Sequence, residues 1–324
     1  VRLLMTGGYG CIGSWVARRL VEAGRELWIY DLKEDTHRLD LLIDPDRRAL
    51  VHYLPGDVAD PAALLAAIDA VGATHILHLA GLQVPSCRAD PIRGATVNVL
   101  GTLAVFEAAA ARRDQVARVA YASSAAVHGP PDPAATGPVP DDVRLAPTSH
   151  YGAFKVCNEL NARVYWLDRG VSSVGLRPWT VYGVGRDFGV TSEPTRALLA
   201  AAAGRPFAIT YGGLQDFQYA DDVAAAFLAA LESPFEGADA FNVRGAVAPL
   251  VEFVAALESA APEAAGLVTF GDRQLPIAPD LDDHRLREAL GPLPITPLAV
   301  GVADTYRRFR DLLADGRIEA TEGG

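Results

Sequence analysis

The sequence predicts an α/β protein built on a doubly wound parallel sheet, and three observations carry that reading. From residue 2 to residue 176, short apolar runs of strand length alternate with segments whose apolar residues recur at helical spacing. The turn between the first run and the first helical segment is glycine-rich, Thr6-Gly7-Gly8-Tyr9-Gly10-Cys11-Ile12-Gly13. The second run closes on an acidic residue, Asp31, ~20 residues beyond that turn.

Each element follows from its own pattern. Residues 2–6 read as a buried strand, and residues 11–23 as a helix ended by Gly24. Residues 27–30 are the second strand, followed by strand 51–54, helix 62–71 and strand 75–80. Helix 98–111, strand 118–123, helix 151–168 and strand 174–176 continue the rhythm of a sheet covered on both faces. His75 and His78 are read as sharing one face of their strand, as buried structural histidines rather than ligands. After Tyr182 the alternation breaks into glycine-rich turns, a helix at 193–203, short strands and several prolines. Residues 1–175 are therefore expected to form the main domain. Residues 176–324 supply a smaller C-terminal substrate-binding lobe and some elements that return to the main sheet. Residues 129–147, rich in Pro and Gly, form a long loop of the kind that is usually functional or mobile.

Bulk properties narrow the function classes. A chain of 324 residues, half apolar and 21% charged, has an ordinary globular composition. With 29 basic and 40 acidic residues the net charge is −11, which disfavours nucleic acid or an anionic membrane as a partner. Cys11, Cys87 and Cys157 have neither metal-ligand spacing nor a paired pattern, so no metal is expected and a reducing, cytoplasmic setting is. No apolar stretch approaches the ~20 residues that span a bilayer. The first residues lead straight into a strand, which predicts no signal or transit peptide.

Glycines at 7, 10 and 13 allow a tight strand-to-helix turn and close approach of the backbone to a pyrophosphate. The helix behind the turn presents unpaired N–H groups and a partial positive charge to the phosphates. The chain is thus expected to carry a Rossmann-type dinucleotide site. Asp31 can accept hydrogen bonds from the adenine ribose hydroxyls and repel a 2′-phosphate, favouring NAD over NADP, with Lys33 as a counter-argument. Asp57, in Gly56-Asp57-Val58, either meets the adenine or caps the next helix. Leu79, Ala80 and Gly81 end the following strand, where small residues let a flat cofactor pass.

Tyr151 and Lys155 are four residues apart on one helix and face one cleft. A phenol titrates near pH ~10, too high for a base at neutrality, and a neighbouring ammonium lowers it. Lys155 can also bond the nicotinamide ribose. Ser124, just beyond a strand's C-terminal end, is placed to hold the substrate oxygen, because ligands of open α/β sheets bind at that edge.

With these motifs in place the chain resembles the extended short-chain dehydrogenases/reductases of the NAD-dependent epimerase/dehydratase family. The matching stretches are TGGYGCIG, YD at 30–31, GDV at 56–58, HLAG at 78–81 and NVLGT at 98–102. SSAAVHG at 123–129, YGAFK at 151–155, LRPWTVYG at 176–183 and QYADDV at 218–223 extend the match over nearly the whole chain. The resemblance implies NAD-dependent hydride transfer between a secondary alcohol and a ketone, with Ser124 and Tyr151 acting on the hydroxyl and Lys155 tuning Tyr151. It adds Tyr9, Cys11, Ile12 and Val58 to the cofactor-binding residues, and Asn98, Ala122, Ser123 and Pro178 further along. It also implies a homodimer through a four-helix interface formed by the helices near 98–111 and 151–168.

The departures from the family narrow the chemistry. Its dehydratases carry Asp-Glu after the catalytic Ser or Thr, where this chain has Ala125-Ala126, which cannot move a proton. Its nucleotide-sugar epimerases resemble this chain but carry Asn where Thr180 stands, Asn-Leu where 188–191 read Phe-Gly-Val-Thr, and Arg where Gln215 stands. A neutral amide does not replace a guanidinium on a diphosphate. The expected substrate is therefore a small polyhydroxylated molecule such as a free sugar, sugar acid or related hydroxy acid. Arg186 and Arg196 either bind a small anion such as a carboxylate or are solvated surface arginines. Gln83, Ser86, Thr180 and Thr191 are candidates for substrate hydroxyls, and Cys87 is read as packing. The alternatives are a nucleotide-sugar 4-epimerase that retains NAD, and a non-catalytic NAD-sensing regulator, which the intact Ser124, Tyr151 and Lys155 disfavour.

Overall fold

The alternation of strand and helix builds a parallel sheet. The structure, a computed structural model, describes residues 1–131 and 137–319; residues 132–136 of the expected loop and 320–324 of the expected lobe lie outside it. The first half comprises β1 (Leu3–Thr6), α1 (Cys11–Glu22), β2 (Leu27–Asp31), α2 (His37–Leu42), β3 (Val51–Pro55), α3 (Pro61–Val71), β4 (His75–His78), α4 (Val84–Ala89), α5 (Pro91–Ala95), α6 (Gly101–Ala111) and β5 (Arg118–Ala122). Then come α7 (His150–Arg169), β6 (Ser173–Arg177), β7 (Thr180–Tyr182), α8 (Glu193–Ala202), β8 (Phe207–Ile209), β9 (Leu214–Tyr219), α9 (Ala220–Glu232) and β10 (Ala238–Asn242). The last elements are β11 (Ala246–Pro249), α10 (Leu250–Ala260), β12 (Val268–Phe270), α11 (His284–Leu290) and α12 (Leu298–Ala314).

Seven strands form one sheet in the order β10-β6-β5-β4-β1-β2-β3, with every neighbouring pair parallel. The winding reverses at β1, between β2 and β4, and that is where the carboxyl edge of such a sheet opens a crevice. Side chains alternate between two cores. Leu3 and Met5 join Trp15 and Leu20 of α1 and Phe227 of α9, whereas Leu4 joins Leu64 and Ile68 of α3 and Phe106 of α6. Each such side chain contributes about 1.5–3 kcal/mol by burial. A second sheet, β11-β9-β7, and the parallel pair β12-β8 lie in the C-terminal part, while β10 returns to the main sheet. The boundary expected at 175/176 falls inside β6.

Three details depart from the sequence reading. His75 and His78 face opposite sides, since residues three apart on a strand do. His78 is fully buried between Thr6 Oγ1 (2.7 Å) and Thr102 Oγ1 (2.9 Å), and burial pushes its pKa down to about 3, so it is a neutral structural group. The helix expected at 98–111 starts earlier: Asp90 caps α5, and a π-helical turn at Thr96–Leu100 carries it without a break into α6. The combined run Pro91–Ala111 is long and apolar enough to cross a membrane, unlike any stretch expected from the sequence, but half of it is buried inside the fold. Its Val105, Phe106 and Ala109 lie in the core beside the sheet.

Candidate active site

The glycine turn after β1 is tight because neighbouring backbone closes on it. Gly7 has φ +67°, and a Cβ there would lie 2.5 Å from the backbone nitrogen of Ala80. A Cβ on Gly13 would lie 2.5 Å from Gly8 O, so Gly13 lets α1 start against the turn. Gly10 caps α1 without any side-chain hydrogen bond, leaving the first-turn N–H groups for a ligand.

A cavity of about 850 Å³ runs from this turn along the carboxyl edge of the sheet to α7. Gly7, Gly10, Cys11, Ile12 and Gly13 line one part, with Asp31, Asp57 and Val58 beside them. Leu79, Ala80 and Gly81 line the middle. Ala122, Ser123, Ser124, Tyr151, Lys155 and Pro178 line the remainder. Asp31 accepts from Leu32 N (2.8 Å), and burial raises its pKa. The two readings of Asp57 separate here: Asp60 is the cap of α3, accepting from Ala62 N and Ala63 N, while Asp57 braces Ala59 N (2.9 Å) at the cavity wall. Lys33 does not line the cavity. The open glycine cradle, uncapped helix and carboxylate at the end of β2 fit a dinucleotide.

Two expected cofactor residues do not line the cavity. Tyr9 is buried and packs against Tyr53, with ring centroids 6.0 Å apart. Asn98 bonds Leu82 N (2.6 Å), Leu82 O (2.9 Å) and Cys87 Sγ (3.3 Å), so it fixes the chain after Gly81 from behind. Cys87 is buried there, as packing.

Ser149 caps α7 by accepting from Gly152 N (3.1 Å), and this places Tyr151 and Lys155 on successive turns. Lys155 Nζ lies 5.5 Å from the Tyr151 ring centroid and donates to Ala122 O (2.6 Å). Burial pushes the Lys155 ammonium down to about 8. Burial also raises the Tyr151 pKa; a hydrogen bond with Ser124 and the charge of Arg186 oppose that rise. Arg186 thus also opposes the rise, a contribution the sequence reading did not include.

Glu159 is a site residue the sequence reading missed. It lies one further turn along the face of Tyr151 and Lys155, a spacing visible in the sequence. Ser123 Oγ donates to Glu159 Oε1 (2.5 Å), and Arg177 donates to both carboxylate oxygens (2.9 and 2.8 Å). This buried pair anchors the strand end that carries Ser123 and Ser124.

The substrate candidates divide. Gln83, Arg186 and Thr191 line the cavity and converge: Arg186 donates to Gln83 Oε1 (3.4 Å) and Thr191 Oγ1 (3.0 Å). Ser86 sits on α4 outside the lining. Arg196 lies over the Phe207 ring at 5.3 Å and does not line the cavity. Thr180 is fully buried and bonds Gln215 Oε1 (3.2 Å), likewise fully buried. Arg38, Arg88, Arg93 and Arg273 also line the cavity and carried no sequence signal, because loops and short helices bring them there.

The sequence matches the NAD dependent epimerase/dehydratase family over residues 3–243. It is 32% identical over 323 residues to a UDP-glucose 4-epimerase of Mycolicibacterium smegmatis, covering 96% of this chain and 99% of that protein. The UDP-glucose 4-epimerase of Thermus thermophilus in complex with NAD superposes with a TM-score of 0.80 at 25% identity, covering 96% of this chain and 99% of that one. A GalE-like L-threonine dehydrogenase from Cupriavidus necator shares the fold, with a TM-score of 0.82 at 22% identity and coverage of 95% and 99%. The glycine cradle, the carboxylate after β2 and these matches agree: the chain belongs to the NAD dependent epimerase/dehydratase family, and NAD is its cofactor.

Proposed function

We propose that this protein is an NAD-dependent oxidoreductase interconverting a secondary alcohol and a ketone on a small polyhydroxylated substrate. When bound, NAD supplies the hydride acceptor. The glycine turn would hold its pyrophosphate, Asp31 the adenine ribose, Asp57 the adenine and Lys155 the nicotinamide ribose. Ser124 Oγ holds the substrate oxygen, and the Tyr151 phenolate takes its proton as the carbonyl forms. Ser123, tied to Glu159, keeps that strand end in place.

The observation that carries the small-substrate reading is the Thr180–Gln215 pair. These positions would carry polar contacts to a diphosphate, yet both side chains are buried and bonded to each other. A second reading, a nucleotide-sugar 4-epimerase, is supported by the Mycolicibacterium relative and by Arg273, which lines the cavity without a carboxylate partner among the described residues. The two predict different products. An oxidoreductase accumulates NADH with its substrate, whereas an epimerase converts UDP-glucose with no net NADH, and that outcome would remove the first reading.

Homodimer formation is part of the proposal. Leu160, Val164 and Leu167 form an exposed apolar stripe on α7, and Ile92 and Leu100 are exposed on the α5–α6 run. Sedimentation velocity at micromolar protein should show a dimer; a monomer would contradict it.

A further inference from the structure

Arg186 has no carboxylate partner among the described residues, and its Nε is buried without a hydrogen-bond partner. Its neighbour Asp187 does not neutralise it. That carboxylate is held by Arg38 Nε (2.9 Å) and Nη2 (2.7 Å) and by His37 Nε2 (3.2 Å). The Arg186 guanidinium is positioned instead by two neutral oxygens, those of Thr191 and Gln83. Gly189, at φ +100°, makes room for this arrangement: a Cβ there would strike the amide oxygen of Gln83 and come within 3.4 Å of Arg186 Nη2.

A half-buried charge that is oriented but not neutralised carries a desolvation penalty that a bound anion removes. Of the five N–H donors of a guanidinium, two serve Thr191 and Gln83, which leaves the Nε hydrogen and one hydrogen on each terminal nitrogen. Two neighbouring donors of a guanidinium make the fork that a planar carboxylate accepts bidentately. A diphosphate calls for more than one cation, and Arg88, Arg93 and Arg273 are exposed at the cavity surface rather than grouped with Arg186 in hydrogen-bonded positions.

We infer that the substrate is a hydroxy acid whose carboxylate is bound by Arg186, with Thr191 and Gln83 holding the guanidinium in register. This rests on the oxidoreductase reading and names the substrate class within it. The carboxylate contact fixes which hydroxyl along the chain reaches Ser124 and Tyr151. Arg186 acts here as a substrate-binding residue, and its charge also favours the Tyr151 phenolate.

The test compares acids with their neutral counterparts on the NAD-loaded protein. D- and L-erythronate, D- and L-threonate and D-gluconate are set against erythritol, D- and L-threitol and D-glucitol, with NADH formation and calorimetric binding as readouts. At least one acid should outperform its alditol by about 10- to 100-fold in kcat/KM or affinity, the scale of a bidentate charge-assisted contact. In Arg186→Lys, which keeps the charge and loses the fork, KM for that acid should rise by a similar factor while kcat changes only a few-fold. A panel in which no acid outperforms its alditol overturns the inference, as does an unchanged KM in a folded, NAD-binding Arg186→Lys variant. Alditols oxidised as well as acids would overturn the carboxylate claim and leave the oxidoreductase reading standing. Conversion of UDP-glucose without NADH would overturn both.

Discussion

Tyr151→Phe is expected to lower kcat by about 10²- to 10⁴-fold while NAD affinity stays within about twofold, the range for loss of a positioned general base. The substitution removes one oxygen and keeps the ring that lies 5.5 Å from Lys155 Nζ, so the cofactor wall stays intact. Lys155 itself is held by Ala122 O, a contact the variant does not touch. Activity in the native protein should rise toward alkaline pH, because burial raises the phenol's pKa against the opposing Ser124 hydrogen bond and Arg186 charge. Steady-state kinetics and a fluorescence titration of NAD check the two halves. Retained turnover, or lost NAD binding in a folded variant, would contradict the assigned role.

Glu159→Ala should destabilise the fold by about 3–5 kcal/mol, the cost of leaving one member of a buried ion pair without its partner. Arg177 and Glu159 side chains are 5% and 6% exposed, and Arg177 would keep only Asp141 Oδ1, at 3.6 Å, as a nearby carboxylate. Ser123 would lose its anchor in the same step, so kcat should fall as well. Denaturant unfolding of the native protein and the variant at matched NAD concentration measures the first effect. A loss below about 1 kcal/mol, within the ordinary range for surface substitutions and small defects, would show that the pair does not hold the site together.

How far the site was legible follows from the range of the forces involved. Gly7, Gly13 and Asp31 were readable because a tight turn and a strand end are set within a few residues. Tyr151 and Lys155 were readable because helical spacing puts them on one face, and the same spacing reaches Glu159. Which way an isolated polar side chain points depends on what the fold packs around it. Thr180 finds Gln215, Arg196 finds the Phe207 ring, and Asn98 turns to Leu82 and Cys87, all through contacts distant in sequence. The short helices α2 and α4 are too brief for a periodic signal, and the π-helical turn before α6 hid the true start of that helix. The charge of Arg186 on Tyr151 is illegible for the same reason: Arg186 reaches the site on a loop after β7, which no local pattern announces.

We propose that this protein keeps the NAD cofactor site and lacks the diphosphate contacts of nucleotide-sugar enzymes. Calorimetric titration of UDP into the NAD-loaded protein tests it most directly. No detectable heat is expected, because Thr180 and Gln215 are bonded to each other inside the protein. Saturable binding with a micromolar Kd would contradict the account and assign the cavity to a nucleotide sugar.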